Sequence, residues 1–176
     1  MKYLHLSVTR TWGNRTLPTS SRQWKALRSQ ILHRDNCTCA WCGYLSKTSP
    51  GRAMIVDHKD GNASNNDPLN LRVHCPPCDA IRHCGFAGIN DWIVVGQSDM
   101  DQVEIVRKTR EMFQSSAATR IPLPMLVDPS MVPVEMGPVA FANILLKQEW
   151  EELPEEFRRF RGFFTEHASR LFLRTM

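Results

Sequence analysis

Two Cys-x-x-Cys turns, Cys39/Cys42 and Cys75/Cys78, constrain this chain more than any other feature of it. Each turn lets two thiolates reach one tetrahedral ion, so the pair supplies a closed four-sulfur site and ties two distant stretches together. Four thiolates leave no open position for water, so the ion, Zn2+ by its ligand chemistry, is expected to scaffold rather than to catalyse. Cys37 and Cys84 fall outside the paired spacing. Cys37 could replace Cys39 only through a more strained Cys-x-Cys turn, and His74 and His83 are alternative, less favoured ligands. The opening MKYLHLSVTRTW lacks the apolar run and small-residue cleavage site of a secretory leader, which favours zinc over disulfides and a reducing, cytoplasmic setting. No stretch approaches the roughly 20 apolar residues that span a bilayer.

Size and charge narrow the reading further. At 176 residues with 42% hydrophobic content, the chain is long and apolar enough for one packed domain with an appendage, and wholesale disorder is excluded. The net charge of +4 is uneven: residues 1–88 hold 12 Lys/Arg against 5 Asp/Glu, and the remainder 10 against 13. A polyanion would therefore meet the cysteine-bearing half.

Periodicity gives the element order. LHLSV reads as a short strand. Ser20 with Gln23 forms a capping-box pattern before an amphipathic helix over 21–34, with Trp24, Leu27, Ile31 and Leu32 on one face. AMIVDH and LNLRVH read as two strands joined by the turn-rich loop KDGNASNNDP, and Pro76 and Pro77 suit the first turn of a helix. WIVVG is a further strand. Ser98 is placed to cap a helix over 99–113 with Val103, Val106, Arg110 and Phe113 in one stripe. Five prolines between 120 and 138 predict an extended connector. VAFANILLKQEW predicts a short helix. Pro154 then starts a last amphipathic helix with Phe157, Phe160, Phe164, Ala168 and Leu171 on one side. The expected units are 1–88, 89–119, 120–138 and 139–176.

Between the two cysteine turns lie the residues that can do chemistry. Asp57 and His58 end the first strand, where alternation sends them to opposite faces. Asp79 and His83, four apart, share one face of the helix after the second turn. Asp57, Asp79 and His83 can jointly hold a divalent ion with open positions, Mg2+ or Mn2+. His58 can take a proton from water beside it, a sufficient set for phosphodiester hydrolysis. Asn70 is placed to tie the loop to the strand through its amide. Lys59, Arg72 and Arg82 are the cations expected to contact the phosphates of DNA.

In order, RDNCTCAWCG, DHKDGNASNND, NLRVHC and PPCDAIRH resemble the HNH endonuclease superfamily, over roughly a third of the chain. The resemblance implies an α+β fold: a zinc-bound HNH module (ββα-metal, treble-clef-like) with a flanking N-terminal strand and helix and C-terminal helices. It implies His58 as general base, Asn70 as the motif asparagine and Asp57 as a metal ligand. His83 matches a helical histidine that some members use as a ligand. Asp79 departs from the pattern, since the family usually has His or Asn directly after the last cysteine; a carboxylate still suits Mg2+.

The layout of the whole chain is also similar to the IcmJ/DotN proteins of type IVB (Dot/Icm) secretion and related conjugation systems. That likeness implies a cytoplasmic, non-catalytic zinc-scaffold adaptor and partner of a coupling ATPase. Its binding surface would be the C-terminal helices, with the stripe Phe157, Phe160 and Phe164 and the acidic run 149–156, although packing of that stripe into the core is the favoured reading of its spacing. A DNA-binding zinc module without hydrolysis is the third expectation. A scaffold alone has no need of His58, whose presence favours the hydrolytic reading.

Overall fold

The computed structural model describes residues 4–8, 16–45, 51, 53–115 and 123–173. Helix α1 (Arg22–Arg34) starts one residue later than the capping-box pattern suggests. Ser21 is the cap, its hydroxyl accepting the Trp24 N–H at 3.1 Å. Trp24, Ile31 and Leu32 are buried, as their spacing predicts. Leu4–Val8 does not form a strand. It is a coil segment whose Ser7 backbone clasps a helix junction instead: Ser7 N–H donates to Ile81 C=O and Cys84 N–H to Ser7 C=O. Leu6 is fully buried there. Most of the turn-rich stretch that follows lies outside the described residues.

Strands β1 (Ile55–His58) and β2 (Leu71–His74) pair antiparallel, Ile55 opposite His74 and Asp57 opposite Arg72. The loop between them is built from side-chain-to-backbone turns. Asp60, Asn62 and Asp67 each accept the N–H two residues on, which is why the stretch is dense in Asn and Asp. Helix α2 (Pro76–Arg82) follows with both prolines in its first turn, then α3 (Cys84–Ile89). Hairpin and helix together are the ββα unit.

The second half is a three-stranded antiparallel sheet with helices against it. Strand β3 (Ile93–Gln97) lies where expected. Helix α4 (Gln102–Ser115) begins later than predicted, because Ser98 caps a turn rather than the helix: its hydroxyl accepts the Met100 N–H and donates to Asp128. Its buried face includes Ile105 and Thr109 as well as Val106 and Arg110, with Val103 and Phe113 only partly covered.

Two expectations are corrected here. The proline-rich stretch is not an extended connector. It holds helix α5 (Leu123–Val127), with Pro124 in the first turn, and the two-residue strand β4 (Val132–Pro133). Pro133 is tolerated because β4 is an edge, where a missing N–H breaks no central ladder. Helix α6 (Pro138–Leu145) covers only the first part of the helix expected over VAFANILLKQEW, and Trp150 falls in a separate 3-10 turn, Trp150–Glu152.

The final helix is also not one helix. A single turn, α7 (Glu155–Arg158), gives way to strand β5 (Phe160–Phe164), a 3-10 turn and the short α8 (Ser169–Leu173). β5 pairs antiparallel with β3, from Ile93 opposite Phe164 to Gln97 opposite Phe160, in the sheet order β4-β3-β5. Over five residues the spacing of apolar positions cannot separate a helix from a strand buried on both faces. Here Phe163 and Phe164 point to opposite sides and both are buried. Gly162 disfavours helix, and three phenylalanines favour the pleated sheet. The aromatic stripe is core, not an exposed face.

β5 is the outer strand, and Gln102 closes its edge. The amide of Gln102, itself 1% exposed, donates to Gly162 C=O and accepts Gly162 N–H, both at 2.8 Å. In effect one side chain plays the part of a neighbouring strand. Gln102→Leu keeps the volume but leaves two buried backbone groups unpaired. It should cost about 2–4 kcal/mol, read as a lower midpoint in chemical denaturation with unchanged slope.

Candidate metal centre and catalytic cleft

Cys75 is the N-cap of α2, and β2 delivers that cysteine toward the turn at Cys39–Cys42. Gly43 there adopts φ +71°, and Ala40 N–H donates to Val73 C=O. All four Sγ atoms of Cys39, Cys42, Cys75 and Cys78 lie within 4.8 Å of one another, and all four residues are buried. Hydrogen bonds from Cys42, Cys75 and Cys78 hold the Cys39 thiol far below the ordinary thiol range, while burial pushes Cys75 and Cys78 well above it. Such a cluster cannot shed all its protons without a cation among the sulfurs, so the residues fit a four-thiolate metal such as Zn2+. His74 is not in the group. Cys84 is buried with its thiol pushed up to about 12 by desolvation, the mark of an inert packing cysteine.

Two arginines of α4 approach this centre, and sequence reading missed their role. Arg110 is 7% exposed; its Nη2 lies 3.5 Å from Cys75 Sγ and its guanidinium 3.8 Å over the Tyr44 ring. Arg107 donates through Nε and Nη2 to Cys42 C=O at 3.1 and 3.0 Å. A divalent ion with four thiolates carries two net negative charges, and a buried guanidinium against one sulfur offsets part of them. The expected apolar stripe included Arg110 without the reason a charge belongs there.

Across the hairpin from the sulfurs, α2 turns Asp79 and His83 toward the end of β1. One ligand atom each of Asp57, Asp79 and His83 comes within 4.8 Å of the others. His83 Nε2 is 3.5 Å from Asp79 Oδ1. Arg82 Nε approaches Asp57 Oδ2 to 2.9 Å, and His74 Nδ1 lies at 3.6 Å. Neither makes an aligned hydrogen bond to that oxygen, which is buried without a true donor. A buried carboxylate oxygen lacking a donor, with a second carboxylate and an imidazole beside it, fits a divalent cation with open positions.

His58 turns the other way, as strand alternation predicts. Its ring stacks on Trp24 of α1 at 5.9 Å and 21°, and its Nε2 is 3.2 Å from Asn66 Oδ1. The amide nitrogen of Asn66 donates to Thr16 Oγ1 and Ser64 C=O, so its oxygen is the face offered to His58. Asn66 was not singled out from sequence, because a loop with several asparagines does not reveal which one folds back. His58, Asp57, Asp79 and His83 all line one cleft of about 450 Å³, between α1 on one side and α2 on the other.

Asn70 does what its position suggested. Its amide donates to Asp60 Oδ1 and Asn65 C=O and accepts the Asp60 N–H, closing the loop onto the strand. Of the three expected phosphate-contacting cations, Lys59 is exposed, its ammonium on Leu69 C=O at 2.6 Å. Arg72 and Arg82 are turned inward. Arg72 lies 4.4 Å over the Trp41 ring, with burial lowering its pKa to about 10. Arg82 bridges the Asp57 carboxylate and His58 C=O, 3.1 Å from its Nη2.

Compared with protein families, residues 47–74 match the model described as HNH endonuclease. The match spans β1, the loop and β2, and ends just before Cys75. Comparison with curated proteins gives no match.

The arginine–sulfur contact has a measurable consequence. Arg110→Met removes the charge and keeps much of the packing, and should weaken zinc retention by about 10-fold or more, the usual size of an outer-shell loss. Competition with a chromogenic chelator reads this directly, and Arg110→Lys should recover part of it.

Proposed function

We propose that this chain is an HNH-type, metal-dependent endonuclease that hydrolyses DNA phosphodiesters. The observation that carries the reading is convergence: Asp57, Asp79, His83 and His58 arrive from strand and helix at one cleft, and Asp57 and His58 lie within residues 47–74, where the HNH endonuclease family matches. The basic charge of residues 1–88 suits a polyanionic substrate.

His58 is the general base. Because Asn66 presents its amide oxygen to Nε2, that nitrogen carries the hydrogen and Nδ1 keeps the lone pair that takes a proton from the attacking water. The stacked Trp24 ring fixes the plane of the imidazole. As the water oxygen bonds to phosphorus, the bond to the leaving 3′ oxygen breaks and the proton resides on His58. Asp57, Asp79 and His83 are the residues that would hold Mg2+ or Mn2+, which when bound supplies Lewis-acid stabilisation of the phosphorane charge and the leaving oxygen. Arg82 positions Asp57 rather than touching substrate. Asn70 holds the loop that carries Asn66, and Lys59 contacts a flanking phosphate. Cys39, Cys42, Cys75 and Cys78 hold a structural Zn2+ that fixes α2 against the hairpin.

A second reading, a non-catalytic adaptor in a type IVB secretion or coupling complex, can no longer rest on the aromatic stripe, which is core. It rests instead on an apolar groove of about 340 Å³ between α3 and α6, where Phe86, Ile89, Val139 and Leu146 are exposed. Co-purification with a coupling ATPase, lost on Ile89→Asp, is its test.

Incubating plasmid DNA and, separately, a single-stranded DNA circle with the purified protein and Mg2+ or Mn2+ tests the nuclease, cleavage of either substrate counting. Cleavage should occur, fall by about 10²–10⁴-fold in His58→Ala, and fall comparably in Asp79→Ala, with thermal midpoints little changed. No cleavage by the unaltered protein, or full activity in His58→Ala, would overturn the assignment.

A further inference from the structure

The cleft has a wall that the hairpin and α2 alone would not provide. Leu17, Trp24, Lys25 and Arg28, on α1 and the segment leading into it, face the proposed metal ligands across it. The ligands are recessed: the side chains of Asp57, Asp79 and His83 are 12%, 22% and 10% exposed. At about 450 Å³ the space suits a ligand of nucleotide size. A double helix is far too wide to enter and could offer only a projecting phosphate, whereas a single strand can follow the recess.

The charges along the cleft point the same way. Arg82 is engaged internally, and Arg28 donates to Gly51 C=O and Met54 C=O, which fixes α1 over the strand. Lys25 is exposed, lines the cleft and makes no ion pair or side-chain hydrogen bond among the described residues. The same cleft is lined by Leu17, which is apolar and only half-buried. A solvated cation beside an apolar wall is the pairing that a single nucleic-acid strand uses, phosphate on one and base against the other.

We infer that α1 makes this a cleft for a single strand rather than a duplex, with Lys25 binding the phosphate next to the scissile one. The inference rests on the nuclease reading for its substrate but not for its test. Binding is measured by fluorescence anisotropy, with Ca2+ in place of Mg2+ so that cleavage does not intervene. The probes are a short labelled single strand and a hairpin duplex carrying the same sequence. The single strand should bind more tightly. In Lys25→Ala the plot of log affinity against log salt should be shallower by about 0.7, the loss of one phosphate contact on a single strand. Arg22→Ala, an exposed cation on the same helix outside the cleft, should change the slope less. Lys25 is exposed in the first turn of α1 and alanine is a strong helix former, so the variant keeps its fold.

Duplex bound as tightly as single strand, or an unchanged slope in Lys25→Ala, would overturn the inference while leaving a plasmid-cutting nuclease standing. Single-strand binding with the predicted slope change, in a protein that never cuts, would uphold the cleft assignment and remove the nuclease.

Discussion

Four sulfur atoms gathered inside 4.8 Å set the geometry of everything around them. Left to itself, a two-stranded hairpin of four-residue strands is marginal in water, and a seven-residue helix is shorter than an isolated helix needs. Neither element would hold a side chain in a defined place. Joining Cys39 and Cys42 to Cys75 and Cys78 fixes the N-terminus of α2 against the end of β2. The positions of Asp79 and His83, one and two turns further on, then follow from helix geometry alone. The site that could bind a catalytic cation is thus positioned by a site that could not itself catalyse.

That constraint extends into the second half of the molecule. Arg107 and Arg110 bring α4 onto the cysteine turn, and Gln102, two turns earlier on the same helix, closes the outer edge of β5. Gly162 lies where β5 meets α2. A Cβ there would stand 2.7 Å from Ile81 Cδ1 and 3.0 Å from Leu6 Cδ2, so any larger residue would have to displace these buried methyls. Strand, helix and extended N-terminal segment share one apolar core with the hairpin, including Leu6, Ile81, Ile93 and Phe164. The sheet is therefore part of what supports the face of α2 opposite the cleft.

How much of this was legible in the residues depends on the range of the interaction. The cysteine spacing, the Asp57–His58 step and the Asp79/His83 pair are local patterns whose geometry follows from one turn, one strand end or one helix face, and they come together as expected. The errors are of another kind. FRGFF sits within a spacing that suits a helix, and its local leaning toward strand is settled by its partner β3, far off in sequence. Leu4–Val8 has strand composition, but its backbone partners are at a helix junction. Arg72 and Arg82 have the composition of phosphate ligands, but Trp41 and Asp57 claim them first. Asn66 is one of several asparagines, and its bond to His58 depends on a loop path set by Asn70, Asp60 and Asn65. Residue type states what a side chain can do; which neighbour it meets is decided by contacts between distant segments.

Arg82 shows how the inward arginines serve the cleft without touching what enters it. Two carboxylates and an imidazole within 4.8 Å repel any arrangement that lacks a positive charge. The Arg82 guanidinium supplies one at Asp57, and by also holding His58 C=O it fixes the two residues that end β1 relative to each other. Its N–H is not aimed at Asp57 Oδ2, so the oxygen stays available as a ligand while the carboxylate stays in place. The guanidinium does both at once, its Nη2 donating to His58 C=O while its charge lies beside Asp57, a spread that the compact ammonium of a lysine lacks. On this view Arg72 and Arg82 belong to the internal framework, and two of the 12 Lys/Arg of residues 1–88 are thereby not offered to a polyanion.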